Sequence, residues 1–258
     1  MSTFQFAYNF INITDAMVTV SGQDTNYPKA NMLNLANLRR HYRSLVTTET
    51  TVVIDFGSAR AVAGLLLNDV NFTAATIQGN ATNVWTSPSF SLSVTISADE
   101  RVNRRKSFTQ LTAFNFRYLR VVIPAQTPTD VLAYFRIGTL VCASSLLQLS
   151  SNPSYPYSYQ AAYPEPKEVR FPTGGFEQVD MGSYKTWSGS FSYNVAVKTS
   201  VTDLWTLDTL KPTDYIVFAE NRGDSSKSYL CKKRGSIEID ETHHNIYKSN
   251  VINFEEVI

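Results

Sequence analysis

The residues of this 258-residue chain that could do chemistry are three histidines, two cysteines and 22 carboxylates, and their spacing assembles no reaction. His243 and His244 sit side by side in ETHHN. Adjacent residues on a strand point to opposite faces, so the two cannot both reach one metal, and a turn is their expected setting. The sequence contains no GxSxG, HExxH, P-loop, CxxC or Rossmann glycine pattern. The expectation is therefore no catalytic residue, no metal, no cofactor and no enzymatic activity. Arg222-Gly223-Asp224 spells the integrin tripeptide, but it lies in a stretch of Gly, Asp and Ser, residues that make turns. A turn is what the sequence predicts there.

Two basic runs remain, 101–106 (RVNRRK) and Lys232-Lys233-Arg234. Neither carries the aromatic interleaving that stacks on bases, and the net charge of the chain is only +1. No nucleic-acid specificity and no membrane insertion are expected. The runs read as solvated faces or, in an assembly, as partners for Glu238, Asp240, Glu255 and Glu256 of a neighbouring subunit.

Composition narrows the class. Hydrophobic residues make up 43% of the chain, charged residues 17% and aromatic residues 12%, which suits extensive burial, strands and contact surfaces. Cys142 and Cys231 are far apart and too few for a disulfide framework, so both are expected as buried apolar groups. The opening MSTFQFAYNF lacks the charged and apolar regions of a signal peptide. The best apolar stretch, 59–70, is broken by Arg60, Asn68 and Asp69. The expectation is a soluble protein made in a cytoplasm.

The elements that would position any site are strands. Phe90, Leu92, Val94 and Ile96 alternate with Ser and Thr, a period of two with one buried face. Val52, Ile54 and Phe56 open another strand that Gly57 should stop, and Leu119, Val121 and Ile123 form the buried face of a third, ended by Pro124. Such spacing predicts an antiparallel sandwich over 1–150. Residues 151–172 hold half of the ten prolines together with Tyr155, Tyr157, Tyr159 and Tyr163. Proline removes ladder donors and restricts its predecessor, so this span is expected without regular structure. It is either a plain tether or an arm packing on a neighbouring subunit through its tyrosines.

A second β domain is expected over 173–258. Trp187, Gly189, Phe191, Tyr193, Val195 and Val197 share one face of a long strand. One helix follows, capped by Ser200 with Asp203 three residues on, lined by Val201, Leu204, Trp205 and Asp208, and ended by Pro212. Strands at 215–218, 229–231 and around Ile237 and Ile239 come next. The final strand, 247–258, reaches the terminus and reads as an edge open to another chain.

The order of Asn31, Leu35, Arg39, Arg40, Tyr42 and Arg43, then Asp55-Phe56-Gly57, then Arg117-Tyr118, resembles the discoidin-like (galactose-binding-like) family. The resemblance implies an N-terminal jelly-roll β-sandwich whose loops at one end hold glycan or lipid. Arg39, Arg40, Tyr42 and Arg43 then become the candidate ligand loop, with Tyr42 where the family usually has Trp. The C-terminal order of long strand, single helix and further strands resembles the tail-tube and distal-tail (belt) proteins of long-tailed phages. That resemblance implies a small β-sandwich or barrel with one flanking helix and a homo-oligomeric, six-fold ring in the virion tail. Its partners would be the tail tube protein and the baseplate hub proteins. Tyr155, Tyr157, Tyr159, Tyr163, Phe254, Glu255 and Glu256 are then the candidate ring contacts. The alternative is a carbohydrate-binding module that recognises a host-surface glycan. The expected fold class is mainly β throughout.

Overall fold

The computed structural model describes residues 4–38, 40–98, 105–130, 132–150, 154, 158–162, 167–170, 176–179, 184–194, 201–220, 224 and 227–257. The chain is mainly β and divides into two compact units. One comprises Thr3–Gln148 with Ile216–Tyr229; the other comprises Leu149–Tyr215 and Leu230–Ile258, with Met1–Ser2. Residues 216–229 thus group with the N-terminal unit, although the sequence placed them inside a separate 173–258 domain.

The N-terminal unit is a two-sheet antiparallel sandwich, the architecture the discoidin resemblance implies. Its strands are β1 (Gln5–Phe10), β2 (Val18–Val20), β3 (Tyr42–Arg43), β4 (Thr50–Ala61), β5 (Gly64–Val70) and β6 (Ala74–Asn80). They continue with β7 (Phe90–Thr95), β8 (Ser97–Ala98), β9 (Arg105–Gln110), β10 (Asn115–Ile123) and β11 (Arg136–Gln148). One sheet has the order β2-β4-β10-β6-β7; the other runs β1-β11-β5-β9-β8, with β3 beside β11. Alternating residues of the two sheets meet in one core. Val52, Ile54, Ile77, Leu119, Val121 and Ile123 face Leu65, Leu67, Ile137, Leu140 and Cys142. Burying each such aliphatic side chain contributes about 1.5–3 kcal/mol, so this alternation is what fixes the register.

Gly57 does not stop its strand. Pairing jumps from Asp55↔Tyr118 to Arg60↔Phe116, and Gly57 at φ +77° occupies the irregularity. A bulge with a left-handed glycine lets β4 bend and continue to Ala61.

In the C-terminal unit the strands are β12 (Ser158–Ala162), β13 (Lys167–Arg170), β14 (Phe176–Val179), β15 (Tyr184–Gly189) and β16 (Ser192–Asn194). Helix α1 (Thr202–Asp208) and β17 (Tyr215–Ala219) follow; most of β17 belongs to the N-terminal unit, where it pairs with β1. The last four are β18 (Ser228–Arg234), β19 (Ile239–His243), β20 (Ile246–Ser249) and β21 (Ile252–Glu256). They build a β12-β15-β21-β18 sheet, a β13-β14 hairpin and a β16-β20-β19 sheet.

Several expectations change here. The proline-rich span is not devoid of structure, because β12 and β13 occupy its two proline-free windows. The long 187–197 strand breaks: Trp187 lies in β15, Tyr193 lies in β16 of a different sheet, and Val195 and Val197 lie outside the described residues. Trp187, Phe191 and Tyr193 are nevertheless all buried. The helix buries Val201, Leu204 and Leu207, while Trp205 is half-exposed, because α1 is only two turns long and its inward stripe runs 201-204-207. Ser200 is outside the described residues, and Val201 occupies the cap position without a side-chain bond. Asp203 is instead a structural acceptor. Its Oδ2 takes hydrogen bonds from the Ser150 amide (2.9 Å), the Ser150 hydroxyl (2.8 Å) and the Tyr193 hydroxyl (3.1 Å).

The final strand is two strands, parted at Asn250-Val251, and β21 is no edge. It pairs with β15 on one side and β18 on the other.

Candidate binding site

The site begins with β3, where two residues take opposite faces. Tyr42 points inward, is 0% exposed, and donates its hydroxyl to the Gly22 carbonyl at 2.5 Å. Burial pushes its phenol far above the ordinary tyrosine range. Tyr42 is thus a core residue that pins the 21–28 loop, and the expectation that it contacts ligand is corrected. Arg43 takes the outward face. Its backbone ties down the same loop, with the Asp24 amide donating to the Arg43 carbonyl (3.0 Å) and the Arg43 amide to the Tyr27 carbonyl (3.1 Å).

That backbone pairing puts Tyr27 against Arg43, whose guanidinium carbon lies 3.3 Å from the centre of the Tyr27 ring and 4.5 Å from that of Tyr134. A guanidinium stacked on aromatic rings keeps its planar fork of donors at the rim. The His41 ring stacks on Tyr27, with centroids 5.0 Å apart and planes 19° apart. His41 Nε2 accepts a hydrogen bond from Arg43 Nε at 2.8 Å. Among the described residues Arg43 has no carboxylate partner.

Tyr134 arrives by a different route. The Ser44 amide donates to the Phe135 carbonyl (2.9 Å), and the Phe135 amide donates to the Ser44 hydroxyl (2.8 Å). Asn71, fully buried, donates to the Tyr134 carbonyl and to Asp130, both at 2.9 Å, and its Oδ1 accepts the Arg136 amide at 2.7 Å. Arg136 in turn pairs with Asp69 (3.2 Å) and Asp130 (3.5 Å). Loops 90 residues apart in sequence are held together by this network. Leu45, Val46 and Leu132, on the same loops, are 64%, 49% and 36% exposed. The result is a fixed end of the sandwich bearing two phenols, an imidazole, a guanidinium and an apolar rim. Such a set can donate to hydroxyls and pack against the faces of sugar rings.

Of the sequence-derived ligand loop, Arg43 is in this cluster. Arg40 is exposed, with its amide bonded to the Asn37 carbonyl, and Arg39 lies outside the described residues. Sequence reasoning missed Tyr27, His41 and Tyr134. His41 stood next to the named loop, whereas nothing in the sequence linked Tyr134 to it.

The candidate ring contacts lie elsewhere. Tyr155, Tyr157 and Tyr163 lie outside the described residues; the Tyr159 backbone is in β12, and its side chain is not described. Phe254 is 4% exposed within the unit's own core. Glu256 is buried and accepts the Lys185 amide at 3.1 Å. Glu255 pairs with Arg234 of the same chain at 2.7 Å. Of the acidic partners the basic run was expected to seek on a neighbour, Glu255 is thus engaged within the chain, and Lys233, nearly fully buried, reaches Asp208 at 3.3 Å. Lys106 is also buried, its ammonium 3.5 Å from the centre of the Tyr229 ring, which corrects its expected solvated setting. His243 and His244 lie at the β19–β20 turn, where Asn245 adopts φ +62°.

No protein-family model matches the chain, and no curated protein matches it. Among solved structures it is similar to the lectin domain of lectinolysin complexed with Lewis B antigen, at 10% identity and a TM-score of 0.40, covering 50% of this chain and 92% of that one. It is also similar to a Streptococcus pneumoniae fucose-binding module, at 11% identity and a TM-score of 0.41, covering 53% and 98%. A third is a CBM32 module of a family 31 glycoside hydrolase from Clostridium perfringens, at 13% identity and 0.40, covering 53% and 95%. At these scores the likeness carries no argument about what this chain does.

Proposed function

We propose that this chain is a non-catalytic carbohydrate-binding module, with the glycan held at the loop end of the N-terminal sandwich by Tyr27, His41, Arg43 and Tyr134. The observation that supports it is the Arg43 guanidinium held against two tyrosine rings without a carboxylate partner among the described residues. Its free donors are oriented in advance, which lowers the ordering cost of binding a hydroxyl-rich ligand. Recognition of a host-surface glycan would be the use of such a site.

The ring-forming reading drew on an uncovered terminal strand. Because β21 has both neighbours within the chain, that reading loses this one of its supports, and the low charge fraction and abundant aromatics remain. The test is a glycan microarray probed with the wild type, Arg43→Ala and Tyr134→Ala. Selective binding by the wild type that both variants lose supports the module. Absence of binding to any glycan, with discrete high oligomers in solution, would return the assembly reading.

A further inference from the structure

The outer face of the β2-β4-β10-β6-β7 sheet carries a second constellation, and the loop cluster does not use it. Leu119, Val121 and Ile77 point into the core, so Arg120 of β10 and Gln78 of β6 point outward, directly opposite one another. Val53 of β4 flanks Arg120 on one side, and Ser91 of β7 flanks Gln78 on the other. One register step away stand Thr51, Val122, Thr76 and Ser93. Four strands at the usual spacing make this row roughly 14 Å wide.

Three features mark it as more than a solvated face. Trp85, in the β6–β7 loop, lies over Arg120, with the guanidinium carbon 5.4 Å from the ring centre. The indole is fixed by its N–H donating to Asn83 Oδ1 at 2.7 Å. Arg120 also pairs with Glu49 at 3.5 Å, which places a donor and an acceptor side by side. Finally, the Gln78 side-chain oxygen is shielded from solvent and has no hydrogen-bond partner. A buried acceptor left without a donor is an exception in native proteins and calls for an explanation.

The chemistry of the row narrows the occupant. Arg120 and Glu49 cancel, and the remaining side chains are hydroxyls, one amide and short apolar groups, so an anionic ligand would meet no net field. A protein partner would be expected to meet several apolar anchors at the centre of the patch. Among the described residues the row itself is Ser91, Gln78, Arg120 and Val53, with Trp85 over it and Tyr118 one register step along β10. A neutral hydroxyl-rich chain matches the accessible groups: a sugar ring against the indole, hydroxyls donating to Glu49, and hydroxyls accepting from Arg120 and from the Gln78 amide nitrogen. We propose that this sheet face is a second, independent carbohydrate site that takes an extended neutral polysaccharide along Ser91, Gln78, Arg120 and Val53. The proposal rests on the carbohydrate-binding reading above and extends it from a chain end to a chain interior.

The test is native affinity electrophoresis of the full chain in gels containing hydroxyethyl cellulose, galactomannan or dextran, with dextran sulfate as the charged control. The wild type should be retarded by at least one neutral polymer and less so by dextran sulfate. Trp85→Ala should weaken that retardation at least tenfold and Gln78→Leu at least threefold, while Trp85→Phe retains most of it. Arg43→Ala reports whatever part of the retardation comes from the loop end. Unchanged melting temperatures in all four variants separate lost binding from lost folding. If Trp85→Ala and Gln78→Leu bind like the wild type while Arg43→Ala abolishes retardation, all binding belongs to the loop end, and the sheet site is overturned while the module reading stands. If no neutral polymer retards the wild type but a microarray glycan binds it, the sheet site is again overturned alone. If neither kind of ligand binds, both proposals fall.

Discussion

Truncating Phe254 to alanine separates two opposed views of the C-terminal half. As a ring contact, Phe254 would be exposed in the monomer, and its loss would weaken oligomers without touching the fold. In the structure it is 4% exposed, on a strand paired on both sides, directly opposite Trp187 in β15 and Lys233 in β18. Phe→Ala at such a position loses the transfer free energy of the ring and leaves a cavity, together about 3–5 kcal/mol. A unit near 100 residues shifts its melting point by about 4 °C or more per kcal/mol, so the C-terminal unit should melt roughly 12–20 °C lower. The assay is thermal unfolding followed by tryptophan fluorescence, which reports Trp187 in the affected core, with the oligomeric state measured in parallel. A melting point within two degrees of wild type, with altered association, would refute the buried assignment and restore Phe254 as an interface residue.

Three further outcomes follow from particular contacts. Asp203→Ala strands the Ser150 and Tyr193 donors and should cost at least about 1–3 kcal/mol by chemical denaturation; a neutral result would mean that water replaces the carboxylate. Gly79→Ala would place a methyl 2.5 Å from the Phe114 ring and 2.7 Å from that of Phe116, an overpacking worth about 1–3 kcal/mol, and an unchanged denaturation midpoint would show that those rings yield freely. The Arg117 hydrogen bonds hold the Asp55 carboxyl down at about 2. A lowered folded-state pKa stabilises the fold above the unfolded value near 4, and that stability is lost as pH falls from 4 towards 2. Both partners are over a third exposed, so solvent screening keeps the change small, and Asp55→Asn should remove it from the pH dependence of stability.

What the sequence showed was set by how local the signal was. Val52, Ile54 and Phe56, and likewise Leu119, Val121 and Ile123, alternate over enough residues to announce both strand and buried face, and the structure buries all six. Gly57 misled because a left-handed bulge and a strand end use the same residue. Tyr42 could not be oriented from its pattern: its strand has only two residues, and the Gly22 carbonyl that satisfies its hydroxyl comes from another loop. Phe254 was misplaced for a topological reason. Whether a terminal strand lies at an edge depends on β15 and β18, and no periodicity within 247–258 encodes those partners. The candidate site was legible only at Arg43. Tyr27 and Tyr134 reach it through backbone and Ser44 contacts that span the whole sandwich.

The central claim, that a glycan binds at Tyr27, His41, Arg43 and Tyr134, is tested most directly by mapping where ligand lands. Backbone amide and tyrosine ring signals of the isotopically labelled chain would be followed by NMR during titration with an oligosaccharide selected on the microarray. The account predicts saturable shifts concentrated in residues 21–28, 40–47 and 132–136, absent in Arg43→Ala. Shifts confined to other surfaces, or an Arg43→Ala titration indistinguishable from the wild type, would contradict it.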